Sequence, residues 1–196
     1  MLVGINGPKG CGKSTLRTAI FNYINSSGCS KQDISATTNP LAEPLKLVCK
    51  ELFGGTAWWG NDELKSAATS DIIQTLFGPR FGTYRRIMQY LGTEVFRKID
   101  PSFWVKLHQI RTQEYDSAST VVLVDDVRFE NEASYVRNCG VLLILKRRGY
   151  GFNKEHASEE PLATNDDDVI VDVVDNQDYR ELAKTIVEKQ IIPYLA

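Results

Sequence analysis

The chain has 196 residues, of which 42% are hydrophobic and 24% are charged, and these values are typical of a globular protein with one sizeable core. The formal net charge of −2 and the sequence pI of about 5.8 argue against a protein that mainly coats nucleic acid or an anionic membrane. A small anionic ligand in a local basic pocket remains compatible with both numbers.

The first motif follows the apolar run at residues 2–5. The sequence Gly7-Pro8-Lys9-Gly10-Cys11-Gly12-Lys13-Ser14-Thr15 fits G-x-x-x-x-G-K-[ST], the pattern of a P-loop between a strand and a helix. In such a loop backbone N–H groups surround a polyphosphate, Lys13 reaches the β- and γ-phosphates, and the Ser14 hydroxyl binds Mg²⁺. A glycine-rich turn without a ligand is the alternative. The candidate triphosphate-binding residues are Gly7, Gly10, Cys11, Gly12, Lys13, Ser14 and Thr15.

Three elements are predicted between the P-loop and Gly54. Apolar residues at helical spacing predict a helix over residues 14–27. Residues 34–38 are β-branched enough for a second strand, although a loop is the alternative. A second helix is predicted from residue 41 to residue 52, because Pro44 suits its first turn and Gly54 suits its end.

The pattern loosens between residues 56 and 82, where we predict an exposed, mobile insertion. One short helix is expected within it, at residues 71–77. Trp58 and Trp59 also lie in this stretch, and such tryptophans are more often local core than a surface on which a base stacks.

Beyond the insertion, residues 83–98 show the pattern of an amphipathic helix, and Asp100-Pro101 opens another helix that runs to about Tyr115. The apolar run at residues 120–126 ends in two carboxylates and is typical of a buried parallel strand. The remaining predicted segments are a helix at 133–139, a strand at 141–145, a polar stretch at 147–168, a strand at 169–174 and a helix at 178–192.

This alternation of strands and helices predicts an α/β fold, in which helices cover both faces of a parallel sheet through right-handed βαβ connections. Ligands of such sheets bind outside the carboxyl ends of the strands. The P-loop, Asp125-Asp126 and Arg147 all follow predicted strands at that edge. The three landmarks therefore predict a single site there.

Asp125 and Asp126 end a strand downstream of the P-loop, an arrangement that places a carboxylate beside Mg²⁺. A helix N-cap or a carboxylate at the end of the sheet is the alternative, and the pattern does not decide which of the two lies nearer the ion. Arg128 is followed four residues later by Glu132, so a solvated salt bridge on a helix is the alternative to a functional role for that pair.

A set of further motifs follows in a fixed order: LAEPLK at 41–46, RRIMQYLGTE at 85–94, WVKL at 104–107, DVR at 126–128 with Glu132-Ala133, and HASE at 156–159. Together with the P-loop they resemble the deoxynucleoside monophosphate kinases of bacteriophages, which move the γ-phosphoryl group of ATP to a dNMP. The resemblance implies a three-layer α/β/α P-loop kinase fold with a mostly parallel five-stranded sheet. Within a single domain of residues 1–196, it implies a helical NMP-binding insertion at approximately 39–118 and a lid-like segment at 147–168.

The resemblance also implies roles for particular residues. Transfer to a phosphate monoester needs no strong base, because the acceptor oxygen is already ionised near neutral pH, and arginine binds phosphate oxygens bidentately. The implied catalytic residues are Lys13, Arg128 and Arg147. The implied dNMP-binding residues are Lys46, Arg85, Trp104, Asp126, Arg128 and Glu132. Mg²⁺ would be held by Ser14 and Asp126, directly or through water, with ATP as the co-substrate. An exposed helix face for Arg85 and an ordinary charged loop for 147–168 are the alternatives.

The chain departs from the phage pattern in three places. Ser14 stands where several relatives have Asp, and the insertion between Gly54 and Gly82 is shorter than in the larger relatives. Asp175 replaces an asparagine that the family pattern places after the last strand. The base preference and the adenine contacts are therefore open, as is acceptance of ribonucleotides.

Other functions fit parts of the pattern. Another small-molecule P-loop kinase and a non-catalytic nucleotide-binding module are the main alternatives. A GTPase switch ranks low, because the guanine-specifying N-K-x-D is absent where Asn153-Lys154 is followed by Glu155-His156. His108 and His156 are more often polar helix or lid residues than catalytic groups.

The four cysteines form no C-x-x-C pair and no metal-ligand spacing, a pattern typical of free thiols in a reducing compartment. We find no leader-like segment and no apolar run of membrane-spanning length, so the expectation is a cytoplasmic protein, in the host cytoplasm if a phage encodes it. The expected partners are small-molecule nucleotides, with neither nucleic acid nor membrane, and the resemblance adds a homodimer.

Overall fold

The structure, a computed structural model, describes residues 1–54, 62–115, 118–153 and 156–195. The chain divides into two compact units. Unit 1 comprises Met1–Leu41 and Val105–Ala196, and unit 2 comprises Ala42–Trp104. The predictions of a single domain, of an insertion at approximately 39–118 and of a lid at 147–168 stay predictions.

Unit 1 contains a five-stranded sheet in which every neighbouring pair of strands is parallel. The order across the sheet is β2-β3-β1-β4-β5, so the chain places its first strand in the centre. This confirms the predicted α/β class with five strands and is consistent with a P-loop kinase-like fold. The strands are β1 (Leu2–Asn6), β2 (Ser35–Thr38), β3 (Thr120–Val124), β4 (Gly140–Arg147) and β5 (Val169–Val173).

The three central strands are apolar on both faces because helices cover both sides of the sheet. β1 is buried along its whole length, and β3 and β4 are each buried over most of theirs. β1 pairs Gly4 with Val124 of β3 and Asn6 with Ile144 of β4. The chain that follows β1 therefore leaves the sheet between the carboxyl ends of β3 and β4.

The described part of unit 1 contains, wholly or partly, the α-helices α1 (Lys13–Ile24), α7 (Phe103–Thr112), α8 (Glu130–Cys139) and α9 (Tyr179–Ile186). A π-helical segment, Val187–Ile191, continues α9, and 3-10 turns lie at Ala157–Glu159 and Pro193–Leu195. The boundary between the units falls inside α7, after Trp104. The predicted helix at 14–27 is confirmed with an earlier end, and the helix predicted from Asp100 begins three residues later, at Phe103.

Alternate residues of β1 face opposite helical layers. Val3 and Ile5 pack in one buried cluster with α1 and α9. Gly4 points to the other side, where a Cβ atom would come within 2.7 Å of Val136 Cγ1 in α8. This close approach explains the glycine within a buried strand. The core of unit 1 thus lies on both sides of the central strand.

Unit 2 is helical in its described part. It contains α2 (Glu43–Phe53), α3 (Asp62–Ser66), α4 (Asp71–Phe77), α5 (Tyr84–Gln89) and α6 (Arg97–Ile99), with a 3-10 turn at Pro79–Phe81 and a π-helical segment at Tyr90–Phe96 between α5 and α6. The predicted short helix at 71–77 is confirmed, whereas α3 was not predicted. The aromatic rings of Phe53, Phe77, Phe81 and Tyr90 form a cluster in which ring centres lie 5.4–6.2 Å apart, with Phe81 buried and Phe77 exposed.

The interpretation of Trp58 and Trp59 as local core concerns residues outside the described ranges. Within those ranges, no helix is both long enough and apolar enough to cross a bilayer.

Candidate active site

Residues Gly7–Thr15, hereafter the 7–15 loop, connect β1 to α1 at the carboxyl edge of the sheet. Gly12 precedes α1 with a φ of 108°, and Gly10 has a φ of 78°, conformations that residues with a side chain rarely adopt. Gly12 also has no side chain with which to cap the helix. The first turn of α1 therefore presents backbone N–H groups and the positive end of the helix dipole beside the loop, as an anion site requires.

The Lys13 ammonium is folded back over the same loop. Its Nζ donates hydrogen bonds to the carbonyl oxygens of Gly7 and Pro8, both at 2.7 Å. Burial lowers the pKa of Lys13 and nearby Arg128 lowers it further, while the carboxylates of Glu159 and Asp125 oppose that fall. Among the described residues, the hydrogen bonds of this partly buried cation go to neutral carbonyl groups, which it is well placed to exchange for an anion.

The remaining polar side chains of the loop differ in exposure. Ser14 and Thr15, in the first turn of α1, are exposed. Cys11 is fully buried, and burial raises the pKa of its thiol. A Cβ atom on Gly7 would come within 2.8 Å of Cys11 Sγ, so this thiol fills the space under the loop. Cys11 therefore supports the loop by packing, while Ser14 offers its hydroxyl to solvent.

Two carboxylates follow β3, and the structure gives them different partners. Asp126 Oδ1 accepts a hydrogen bond of 2.9 Å from the backbone N–H of Leu41. Asp125 Oδ2 lies 3.3 Å from Arg17 Nε, close enough for an ion pair although that nitrogen has no hydrogen-bond acceptor among the described residues. Asp125 also acts electrostatically on Lys13. The sequence left these two carboxylates undistinguished, and the structure separates them: Asp125 opposes the fall in the pKa of Lys13, whereas Asp126 holds the backbone of Leu41.

Glu132 is buried and caps the start of α8. Its Oε2 accepts hydrogen bonds from the backbone N–H groups of Arg128, at 2.8 Å, and Phe129, at 3.1 Å. The Arg128 guanidinium points elsewhere: its Nη1 donates to Ser158 O at 3.2 Å and to Glu159 Oε1 at 2.9 Å. Glu132 therefore holds the backbone from which Arg128 projects, and Glu159 holds the guanidinium.

Arg147 is the last residue of β4 and reaches toward the end of β5. Its Nη2 lies 3.1 Å from Asp175 Oδ1, and its guanidinium carbon lies 4.9 Å from the centre of the Tyr150 ring. Two tyrosines flank the glycines of the loop: a Cβ atom on Gly10 would come within 3.0 Å of Tyr150, and one on Gly12 would overlap the Tyr179 hydroxyl. An arginine and two aromatic rings thus line the loop on the β4–β5 side.

Comparison with known proteins decides the family. The family model described as deoxynucleotide monophosphate kinase matches residues 60–186. The chain is also 30% identical over 175 residues, covering 83% of this chain and 82% of the relative, to the "Putative deoxynucleotide monophosphate kinase" of Acanthamoeba polyphaga mimivirus. The chain belongs to the deoxynucleotide monophosphate kinase family. This confirms the predicted resemblance and makes the protein a phosphotransferase of deoxynucleotide metabolism.

Three residues predicted to bind the dNMP lie in unit 2 of this kinase. Lys46 Nζ, in α2, lies 3.2 Å from Glu43 Oε2. Arg85 lies in α5 and is partly buried. Trp104 is 6% exposed, and its indole N–H donates to Gly92 O at 3.0 Å. Their substrate contacts stay predictions.

The two histidines of the kinase have polar roles within unit 1. His156 Nδ1 lies 2.9 Å from Ser158 Oγ, at the 3-10 turn that carries Glu159. His108, in α7, is fully buried between Asn39 O, 2.8 Å from Nε2, and the Tyr135 hydroxyl, 3.0 Å from Nδ1. A carbonyl oxygen only accepts, so Nε2 carries the proton and Nδ1 accepts from Tyr135.

Sequence reasoning assigned no role to several groups near the loop or Arg128, namely Arg17, Tyr150, Ser158, Glu159 and Tyr179. Ser158 and Glu159 belong to a motif that supported the resemblance, so their positions were noticed without a role. No spacing signal connects the other three to the site, because each reaches it through the fold.

Proposed function

We propose that this kinase transfers the γ-phosphoryl group of ATP to a deoxynucleoside 5′-monophosphate and releases a dNDP and ADP. The family supplies the acceptor class, and the observation that carries the donor is the 7–15 loop with its partly buried Lys13 ammonium. An oxygen of the acceptor phosphate attacks Pγ, and the bond between Pγ and the β–γ bridging oxygen breaks. ADP leaves with that oxygen, so atoms and charge balance without a base.

On the donor side, the 7–15 loop carries two kinds of group that bind a triphosphate, namely backbone N–H donors and a lysine. The backbone N–H groups around Gly10 and Gly12 and the start of α1 would bind the phosphate oxygens. Lys13 would leave the carbonyl groups of Gly7 and Pro8 and pair with the β- and γ-phosphates. Because Lys13 is partly buried, water screens its attraction to the transferring group less than it would for an exposed lysine.

On the acceptor side, Arg128 is our candidate for gripping the phosphate of the dNMP, because a guanidinium binds two phosphate oxygens at once. Arg147, at the end of β4, is our candidate for neutralising charge on the transferring group. Lys46, Arg85 and Trp104 remain candidates for dNMP binding on the strength of the family motifs. Each can be tested alone through the KM for the dNMP.

The side chains near the loop fit a magnesium ion. The described residues hold no cluster of three or more His, Cys, Asp or Glu side chains suited to a metal. Mg²⁺ in kinases needs no such cluster, because it keeps several waters and takes most other ligands from the phosphates. Ser14 and Asp126, or Asp125 in place of Asp126, would hold it directly or through water. When bound, the ion would neutralise the phosphate oxygens.

The experiment that tests the proposal is an acceptor screen with γ-labelled ATP and Mg²⁺ against every dNMP, the ribonucleotides and non-nucleotide alcohols and phosphates. We expect label in a dNDP. Lys13→Ala should reduce kcat/KM by about a hundredfold or more, since a donor aimed at developing charge is lost. Lys9→Ala, an exposed lysine of the same loop, is the matched control and should keep the wild-type rate.

Two results would contradict the proposal. Labelling of a non-nucleotide while all dNMPs fail would favour another small-molecule kinase. Binding of ATP without transfer to any acceptor would favour a nucleotide-binding module.

A screen of GTP, CTP and UTP as donors would show whether ATP is preferred. Light scattering of the purified protein would test the homodimer that the resemblance implies.

The metal ligands can be assigned by comparing Asp125→Asn with Asp126→Asn. The Mg²⁺ concentration for half-maximal rate should rise for the carboxylate that serves the ion. Because Asp125 acts electrostatically on Lys13 while Asp126 is hydrogen-bonded to Leu41 N, we expect the larger rise for Asp125→Asn. A larger rise for Asp126→Asn would support the assignment that the family resemblance implies.

A further inference from the structure

The guanidinium of Arg128 is held by one short turn. Its Nη1 donates to Ser158 O and to Glu159 Oε1, both in the turn Ala157–Glu159. The Glu159 side chain is 15% exposed, whereas that of Arg128 is 38% exposed. The carboxylate is therefore the more shielded member of the pair, and the arginine is the member that solvent and ligands can reach.

This contact leaves one edge of the guanidinium for a ligand. Across the described residues, Arg128 donates side-chain hydrogen bonds only through Nη1, and that nitrogen uses both of its protons on the turn. The Nε and Nη2 protons point along the other edge of the planar fork. That edge is the one suited to two parallel hydrogen bonds with a phosphate.

Hydrogen bonds shape the turn itself, and an ion pair holds the chain farther along. Glu159 N donates to His156 O at 2.8 Å, and Ser158 N donates to His156 Nδ1 at 3.2 Å. Farther along the chain, Arg137 binds Asp168 bidentately, with both distances 2.8 Å. The segment is thus fixed to α8 beyond the turn, and the Glu159 carboxylate is presented from a supported position.

We propose that Glu159 is the positioning residue for Arg128, orienting the guanidinium so that its Nε–Nη2 edge faces the acceptor phosphate. The inference rests on the proposed function, in which Arg128 binds that phosphate. Glu159 touches neither substrate, and it acts by removing the rotational freedom of a long side chain before the dNMP arrives. A rival arrangement uses the same contact in the opposite sense: the carboxylate would occupy the phosphate position and compete with the dNMP.

The direction in which Glu159→Ala changes the affinity for the dNMP separates the positioning role from the competing arrangement. If Glu159 positions Arg128, Glu159→Ala raises the dNMP dissociation constant and its KM, by about tenfold for a misplaced binding group. If Glu159 competes, the same variant lowers both. Glu159→Gln keeps an oxygen that accepts from Nη1 and should give a smaller rise than Glu159→Ala. The KM for ATP should not change, although Glu159 also acts electrostatically on Lys13.

The matched control is Glu160→Gln, which removes an exposed carboxylate from the next position of the same segment and should leave KM unchanged. Binding of the dNMP by calorimetry without ATP gives the dissociation constant directly. Far-UV circular dichroism and thermal unfolding confirm that the variants are folded; a partly exposed ion pair contributes little to stability.

A double-mutant cycle with Arg128→Ala completes the test. If Glu159 acts through Arg128, adding Glu159→Ala to Arg128→Ala should cause no further loss of kcat/KM. An additive loss, a lowered KM or an effect no larger than that of Glu160→Gln would overturn the positioning role. If Arg128→Ala alone left dNMP binding intact, the proposed function of Arg128 would fail instead. The two failures are therefore distinguishable.

Discussion

Gly12→Ala should destabilise the kinase through two separable effects. Gly12 has a φ of 108°, a region that an alanine rarely adopts. Its missing side chain also makes room for Tyr179 at the start of α9: a Cβ atom would overlap the Tyr179 hydroxyl and lie 3.1 Å from Cζ. The first effect belongs to the backbone of the loop, and the second belongs to one neighbouring oxygen atom.

The two effects can be given magnitudes. A left-handed backbone costs a residue with a Cβ about 1–2 kcal/mol. Forcing an extra carbon into a packed contact costs about 1–3 kcal/mol. Gly12→Ala should therefore lower the free energy of unfolding by about 2–5 kcal/mol. Tyr179→Phe removes the overlapping oxygen and leaves Cζ at a distance to which small shifts can adapt, so the double variant should regain the packing part.

The assay is urea unfolding followed by far-UV circular dichroism on the wild type, Gly12→Ala, Tyr179→Phe and the double variant. Gly151→Ala is the control, because Gly151 has no atom within 4 Å of an added Cβ and its φ lies outside the range that side chains rarely adopt. It should unfold at the wild-type midpoint. A Gly12→Ala protein as stable as wild type would refute the backbone argument. A double variant no more stable than Gly12→Ala would refute the overlap with Tyr179.

Two further predictions concern a buried histidine and the cysteines. Burial lowers the pKa of His108, so the unfolded chain binds a proton more readily, and stability should fall as pH drops from 7.5 to 5.5, by at most about 1.4 kcal/mol. His108→Gln should remove that pH dependence in urea titrations, whereas His156→Gln should keep it. Iodoacetamide should label exposed Cys139 first, while buried Cys11 and Cys49, whose pKa values burial raises, should react only on unfolding, as peptide mass mapping would show.

Most of the sheet could be predicted because a continuous run of apolar residues marks each of its central strands. β1, β3 and β4 are apolar runs of strand length, and each lies within two residues of its predicted bounds. Helix interiors were equally clear, but their ends were not. The segment Tyr90–Phe96 adopts π-helical hydrogen bonding, which an apolar pattern with a period of 3.6 residues does not distinguish from an α-helix. α3 has only five residues, too few to show a period.

The loop was the part of the site that the sequence predicted best, because its glycines, lysine and serine are consecutive. The contacts of the site residues outside the loop could not be predicted in the same way. Asp126 binds the backbone of Leu41, 85 positions earlier, and Arg128 binds Glu159, 31 positions later. Such contacts depend on which loops the sheet order brings together, and neither spacing nor composition contains that order.

Glu132 shows how a correct spacing can still misassign a contact. Its position four residues after Arg128 suggests a pair between two side chains, yet its carboxylate takes the backbone N–H groups of Arg128 and Phe129. The first turn of a helix leaves such donors without partners, and a buried carboxylate needs them more than an exposed one does. Glu132 thus binds backbone donors, and the guanidinium of Arg128 instead donates to Ser158 O and Glu159 Oε1. The burial of Glu132 thus decides that its carboxylate binds the backbone donors rather than the guanidinium. The residue that holds Arg128 can therefore be identified only after the turn Ala157–Glu159 has been placed beside it.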